Sequence, residues 1–89
     1  MTENEISKVI LDSAIAVHKD LGPGLLESVY EIVLAYEIQQ RGFRVNRQVP
    51  ISIHYKEMTF DDAFRADLVV EDKVIVELKS VERVSEAHK

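Results

Sequence analysis

Apolar residues recur at helical spacing in the first quarter of the chain. Ile6, Val9 and Ile10 begin a repeat that continues to about Leu21 and leaves the intervening polar residues for solvent. Thr2 and Glu5, placed just before it, fit a capping box. The run Gly22-Pro23-Gly24 then ends the pattern, because Gly suits the left-handed position after a helix and Pro cannot continue one. This pattern predicts an amphipathic first helix.

A second helical pattern runs from about Leu25 to Gln40 and is followed by Gly42. Its apolar residues cover most of the helix circumference, which is typical of a helix that is packed on two sides. We therefore expect the second helix to be central in the fold. Glu27 falls in its first turn, where the helix dipole favours a carboxylate.

The second half of the chain changes to the alternation that is typical of strands. The alternation predicts a strand over Gln48–Tyr55, then a turn at Lys56-Glu57 and a return strand that begins at Met58. Pro50 lacks a backbone donor, so the first strand should be an edge strand or locally bulged there. Asp61-Asp62 interrupts the return strand, and we interpret this pair as a solvated bulge in preference to a pair of metal ligands.

The stretch from Arg65 to Lys79 predicts two strands joined by a tight turn at residues 71–73. If facing positions sum to 144, every apolar residue meets an apolar partner and Asp67 meets Glu77. A slip of one residue would place Asp67 opposite Val76 and mix charged with apolar positions on both faces. The first register is therefore predicted, giving an α+β fold of two helices and a three-stranded antiparallel sheet in a single domain, residues 1–89.

This register brings two carboxylates together, and their like charges require a positive group nearby. Glu77 and Lys79 lie two residues apart and share a face, so Lys79 is one candidate and a divalent cation such as Mg²⁺ or Mn²⁺ is another. A solvated ion-pair ladder is the structural alternative. Val69 and Ile75 share this face, so we expect it to be covered and the charges to line a cleft.

An Asp followed by Glu-x-Lys on the next strand resembles the core of the PD-(D/E)XK phosphodiesterase superfamily. The matching residues are Asp67, Glu77 and Lys79. The resemblance implies a metal-dependent nuclease in which Asp67 and Glu77 bind Mg²⁺ or Mn²⁺ and Lys79 orients the attacking water or stabilises charge on the phosphate. Nucleic acid is the implied partner.

A second motif, Gly24-x-x-Glu27-x-x-Tyr30, resembles the signature of the GxxExxY proteins, a family within the same superfamily. The likeness extends over nearly the whole chain from Ile6. It implies that Glu27 is an additional acidic metal ligand, while a carboxylate that only stabilises the start of its own helix is the alternative.

The resemblance also implies elements that follow Ser80 in GxxExxY relatives, namely a further helix and strand. In this sequence the segment 85–89 predicts only the first turn of a helix, so we expect either a shortened natural form of the family or a truncated piece of a longer protein. The missing elements would leave an apolar surface and an unpaired sheet edge. We therefore expect a homodimer or a larger homo-oligomer, joined by sheet edges or apolar helix faces.

Composition narrows the possible classes of protein. The 89 residues are 46% hydrophobic and 30% charged, as in a globular chain, and include no Cys, which excludes disulfides and thiolate metal sites. No apolar run is long enough to span a membrane and no signal peptide is evident, so we expect a cytoplasmic protein. The net charge of -5 argues against a general nucleic-acid coat. His18, His54 and His88 are isolated, and we assign no metal to them.

Two functions remain open from sequence. The first is a metal-dependent phosphodiester hydrolase with Asp67, Glu77 and Lys79 as catalytic residues and Asp67, Glu77 and Glu27 as metal ligands. The second is an interaction module that keeps the nuclease scaffold, catalyses nothing and self-associates. A fold by itself does not establish activity, so the two must be separated by the site.

Overall fold

A computed structural model describes residues 2–78. Helix α1 spans Glu3–Leu21 and helix α2 spans Glu27–Gln40. Strands β1 (Val45–Tyr55), β2 (Met58–Val70) and β3 (Val74–Val76) form one antiparallel sheet in the order β1-β2-β3. The predicted α+β architecture, with two helices before a three-stranded antiparallel sheet, is confirmed.

Helix α1 begins with the predicted capping box. The Thr2 side chain accepts a hydrogen bond from the backbone N–H of Glu5, and the Glu5 carboxylate accepts one from the backbone N–H of Thr2 at 3.1 Å. The hydrogen bonds that the Thr2 backbone N–H and the Thr2 hydroxyl donate to the carboxylate lower the pKa of Glu5. At the other end, Gly22 has a φ of 72° and donates its N–H to the His18 carbonyl, which ends the helix where the sequence predicts.

Helix α2 is covered on one side only by the described part of the chain. Its buried residues are Glu31, Leu34, Ala35 and Ile38. Its opposite side is exposed at Leu26, Val29, Ile32 and Tyr36. Helix α2 contacts both α1 and the sheet, as expected of a central helix, but its apolar residues Ile32 and Tyr36 are not covered within residues 2–78. The helix also starts two residues later than predicted, since Leu26 adopts an extended conformation.

The hydrophobic core lies between the helices and one face of the sheet. It consists of Ile6, Val17, Leu34, Ala35, Ile38, Leu68 and Val70. Each large aliphatic side chain removed from water in such a core contributes about 1.5–3 kcal/mol. The core therefore holds α1 and α2 against the end of the sheet that contains Leu68 and Val70.

Strand β2 defines the two faces of the sheet by its alternating burial. Ala66, Leu68 and Val70 are fully buried beneath the helices, and we call their side the inner face. Asp67 and Val69 alternate with them and are half-buried, and we call their side the outer face.

The β1–β2 hairpin extends well beyond the helices. Its register pairs Val45 with Val70 and Ile51 with Phe64, then shifts before Ile53 pairs with Phe60. Asp62, inside this irregularity, has a φ of 57°, and the predicted bulge at Asp61-Asp62 is confirmed. β1 begins at Val45, three residues earlier than predicted, because its first residues continue the pairing with the buried end of β2. In the sheet formed by residues 2–78 it is an edge strand, as Pro50 indicates.

We call the distal part of this hairpin, residues 51–64, the arm. Apolar side chains that continue the inner face of the sheet are exposed along it, because the helices do not reach this far. They are Ile53, Tyr55, Met58, Phe60 and Phe64.

The β2–β3 register is the predicted one. Leu68 pairs with Val76 and Val70 with Val74, so facing positions sum to 144 and residues 71–73 form the turn. Glu71 stabilises this turn, since its carboxylate accepts a hydrogen bond from the backbone N–H of Arg44 at 2.6 Å. Its own N–H donates to the Arg44 carbonyl at 2.9 Å.

Two expectations about this hairpin are wrong. Strand β3 ends at Val76, so Glu77 follows the strand and is not part of it. The outer face is also not covered by the described residues, because Ile75 is 48% exposed. The helices lie on the inner face, and the outer face of the sheet is open in residues 2–78.

Candidate functional site

Asp67 is held at the junction of β2 and the end of β3. Its Oδ2 atom accepts a hydrogen bond from the backbone N–H of Leu78 at 2.7 Å. A carboxylate oxygen thereby takes the place of a backbone acceptor just where the β2–β3 ladder stops. This contact turns the Asp67 carboxylate towards the β3 side of the sheet and fixes its position on the outer face.

Glu77 lies directly beyond β3, opposite Asp67 in the register that the neighbouring pairs establish. It is exposed. Facing positions of an antiparallel pair share one face, so the register places Asp67 and Glu77 on the same side. The third predicted catalytic residue, Lys79, lies outside the described residues, as does the predicted helical turn at 85–89.

Glu27 is exposed in the first turn of α2. Helix α2 packs against the inner face, whereas Asp67 belongs to the outer face. Among residues 2–78, no three His, Asp or Glu side chains form a group that could hold a metal ion. Glu27, Asp67 and Glu77 are therefore not assembled into a three-carboxylate site in this structure.

The buried acid of α2 is Glu31, one turn after Glu27. It is only 6% exposed, and it accepts hydrogen bonds from Arg47 Nε at 3.1 Å and from Gln48 Nε2 at 2.6 Å. These bonds satisfy a carboxylate that would otherwise be costly to bury. Sequence reasoning missed this role, although an acid inside the apolar stripe of α2 was a signal that it needs a partner.

Gln48 is the second residue that sequence reasoning missed. The β1–β2 register pairs Arg47 with Leu68 and Val49 with Ala66, which places Gln48 opposite Asp67. Its φ of 53° is unusual for a residue other than glycine. The Gln48 side chain reaches Glu31 on α2, so the strained backbone directs it towards the helix and away from Asp67.

The arginines of the segment RGFRVNR are all paired with carboxylates. Arg41 Nε lies 3.1 Å from Glu37, and Arg47 Nε lies 3.1 Å from Glu31. Arg44 lies within 4 Å of both Glu71 (3.7 Å) and Asp72 (3.6 Å). These partners neutralise the positive charge of the cluster locally, at the corner between α2 and β1.

The fold agrees with a comparison against models of protein families. Residues 4–89 match the model described as PD-(D/E)XK nuclease superfamily. The chain belongs to the PD-(D/E)XK nuclease superfamily. Among curated proteins and among solved structures, nothing matches the chain.

Membership of the PD-(D/E)XK nuclease superfamily supports nuclease-like chemistry and an association with nucleic acid. Nucleases of this superfamily generally use divalent metal ions. Two carboxylates on one side of a sheet are a donor set that Mg²⁺ accepts, since it is often bound by one or two carboxylates with water and substrate phosphate as the other ligands. Asp67 and Glu77 fit that set.

In the described residues, no helix is both long and apolar enough to cross a membrane.

Proposed function

We propose that this chain is a metal-dependent phosphodiester hydrolase that acts on nucleic acid. The observation that carries the proposal is the register of β2 and β3, which when continued by one residue sets Asp67 opposite Glu77, in a chain that belongs to the PD-(D/E)XK nuclease superfamily. The Leu78 N–H supports the same proposal, because it holds one carboxylate oxygen of Asp67 and leaves the other available as a ligand.

Asp67 and Glu77 would hold Mg²⁺ or Mn²⁺. When bound, such an ion supplies Lewis-acid stabilisation of the phosphate and lowers the pKa of a bound water. The two carboxylates bring negative charge to the site. Asp67 lies on β2 and is held by the Leu78 N–H, so its position is set before substrate arrives.

Lys79 would orient the attacking water or stabilise charge that develops on the phosphate. Lysine is a point charge with three donors and is not a ligand of Mg²⁺. Its substitution should therefore affect the reaction more than it affects metal binding.

The GxxExxY motif supports a finer assignment within the superfamily, with Glu27 as an additional acidic ligand. In the described arrangement Glu27 belongs to the helix on the inner face, so this role requires α2 to shift relative to Asp67 when metal or substrate binds. A simpler role for Glu27 is stabilisation of the start of α2, which has no side-chain cap from Leu26.

The test combines metal binding with cleavage. Purified chain is titrated with Mn²⁺ by calorimetry and incubated with supercoiled DNA, single-stranded DNA and RNA in Mg²⁺ or Mn²⁺. We expect Asp67→Asn and Glu77→Gln to lose both metal binding and cleavage. Lys79→Ala should retain metal binding and lose most of the cleavage.

Asp61→Asn is the matched control, since it removes an equal charge from an exposed acid in the arm. It should behave as wild type. Equal cleavage by wild type and all the site variants would identify a contaminating nuclease and overturn the proposal, as would wild type that cleaves nothing with either metal.

The arm favours a second candidate function, a self-associating interaction module. Exposed apolar residues line one face of the arm, among them Phe60, which is 47% exposed. Monomeric proteins rarely expose such a contiguous apolar face without a binding role. This candidate predicts association through the arm with no dependence on Asp67.

A further inference from the structure

Arg65 lies on the outer face of the sheet, two residues before Asp67. Ala66 and Leu68 are fully buried on the inner face, so the alternation of β2 places Arg65 with Asp67 on the opposite side. Two residues along a strand correspond to roughly 7 Å. An extended arginine side chain can therefore place its guanidinium group beside the Asp67 carboxylate or beside a ligand bound there.

The environment of Arg65 differs from that of the other three arginines in residues 2–78. Arg41, Arg44 and Arg47 each contact a carboxylate. Within residues 2–78, Arg65 forms no hydrogen bond or ion pair, and its cross-strand partner is Pro50. The guanidinium group is thus exposed with its donors available.

Asp67 does not neutralise Arg65, because the Asp67 carboxylate is turned towards β3 by its bond to the Leu78 N–H. Arg65 and Asp67 therefore lie on the same face of the sheet, but the Asp67 carboxylate bonds to the Leu78 N–H and not to the Arg65 guanidinium group. That arrangement suits a phosphodiester, which could meet a carboxylate that holds metal on one side and a donor for its non-bridging oxygens on the other.

We propose that Arg65 binds a backbone phosphate of the nucleic acid and holds the strand beside Asp67 and Glu77. This inference rests on the proposed function for the identity of the ligand. A guanidinium group suits the task, since its planar donors contact two phosphate oxygens at once. The chain carries a net charge of -5, and a local phosphate contact of this kind would offset part of the general repulsion of nucleic acid.

The test measures binding without cleavage. Fluorescence anisotropy of a labelled single-stranded DNA 12-mer is recorded in EDTA over a series of salt concentrations. We expect Arg65→Ala to weaken binding about tenfold and to reduce the slope of log K against log salt by about 0.7, the value for one phosphate contact to a single strand. Arg65→Lys should restore the slope and only part of the affinity, because lysine keeps the charge and loses the bidentate geometry.

Arg44→Ala is the matched control, because it also removes one arginine charge, from a side chain that is 72% exposed and already paired with Glu71 and Asp72. It should change affinity by less than about twofold. Equal losses from Arg65→Ala and Arg44→Ala would overturn the inference, because they would indicate a general charge effect. Wild type that binds no oligonucleotide would overturn it as well.

The two proposals fail in different ways. Binding that depends on Arg65 in a chain that cleaves nothing would refute the hydrolase and retain the phosphate site. Cleavage that depends on Asp67, with Arg65→Ala binding and cleaving as wild type, would refute the phosphate site and retain the hydrolase. Circular dichroism of Arg65→Ala and Arg65→Lys verifies that each variant is folded.

Discussion

The Oδ2 atom of Asp67 accepts a hydrogen bond from the backbone N–H of Leu78 at 2.7 Å. This bond connects β2 to the chain just after β3, at the place where the backbone ladder ends. Asp67 therefore has a structural role that is separate from any chemistry at its second oxygen, and substitutions can distinguish the two.

Asp67→Ala should lower the free energy of unfolding by about 1.5 kcal/mol, because the Leu78 N–H loses a charged acceptor. Asp67→Asn should cost less, since the amide oxygen can still accept this bond. Urea unfolding measures the stability, and hydrogen exchange of the Leu78 amide should be faster in the alanine variant. Identical exchange in Asp67→Ala and wild type would contradict the bond, whereas loss of metal binding in both variants would reflect the proposed chemistry.

Removing the charge of Arg47 should lower the free energy of unfolding more than removing the charge of its partner Glu31. Arg47→Met leaves a buried carboxylate with Gln48 as its remaining donor, and we expect a loss of about 2–3 kcal/mol. Glu31→Gln should cost only about 1 kcal/mol, because the Arg47 side chain is 44% exposed and can be hydrated. Urea unfolding of both variants tests whether Arg47→Met is the less stable of the two.

The double variant Arg47→Met with Glu31→Gln provides the control for that order. It should be more stable than the sum of the single changes predicts, since no charge is then left buried and unpaired. A Glu31→Gln variant less stable than Arg47→Met would show that the carboxylate is not the group that needs its partner.

The capping box should make the stability of the protein depend on pH. Hydrogen bonds from Thr2 lower the pKa of Glu5, so its stabilising contribution is fully present above the pKa of the unfolded chain. It is lost as the pH falls through the lower pKa of the folded state. In thermal melts at decreasing pH, Glu5→Gln should therefore show a smaller drop in Tm than wild type over this acidic range.

Glu3→Gln is the control for this effect, because Glu3 is also an acid in the first turn of α1 but is not part of the capping box. Its melting curves should keep the acid dependence of wild type. The same acid dependence in wild type and Glu5→Gln would contradict the assignment to Glu5.

The arm should mediate self-association. Ile53 and Phe60 are cross-strand partners and both are exposed, so replacing the pair with threonine removes apolar contact area and retains strand propensity. We expect wild type to form a dimer or larger oligomer, and the double variant to dissociate at concentrations at least about tenfold higher than wild type. Sedimentation velocity over a concentration series gives the assembly state.

His54→Thr is the matched control on the other face of the arm, where His54 pairs with Thr59. It should associate as wild type does. A stable 10.2 kDa monomer for wild type at micromolar concentration would refute association through the arm.

Local patterns along the chain determined the elements and one register. Thr2 and Glu5 specify the start of α1 because their bonds are formed within one turn. The register that pairs Leu68 with Val76 follows from the sequence as well, since a slip of one residue would expose apolar side chains and bury charged ones. Such features depend on neighbours a few residues apart, or on a hairpin whose turn is short.

The tertiary structure decided which faces are covered and which charges are paired. Nothing in the local pattern shows that Glu31 meets Arg47 and Gln48, because they are 16 and 17 residues away and are joined only when α2 packs on β1. The exposure of Ile75 likewise depends on which side of the sheet the helices occupy, a choice that alternation leaves open. The opposition of Asp67 and Glu77 is therefore predictable from the register of β2 and β3, whereas the surroundings of the pair arise from packing between distant segments.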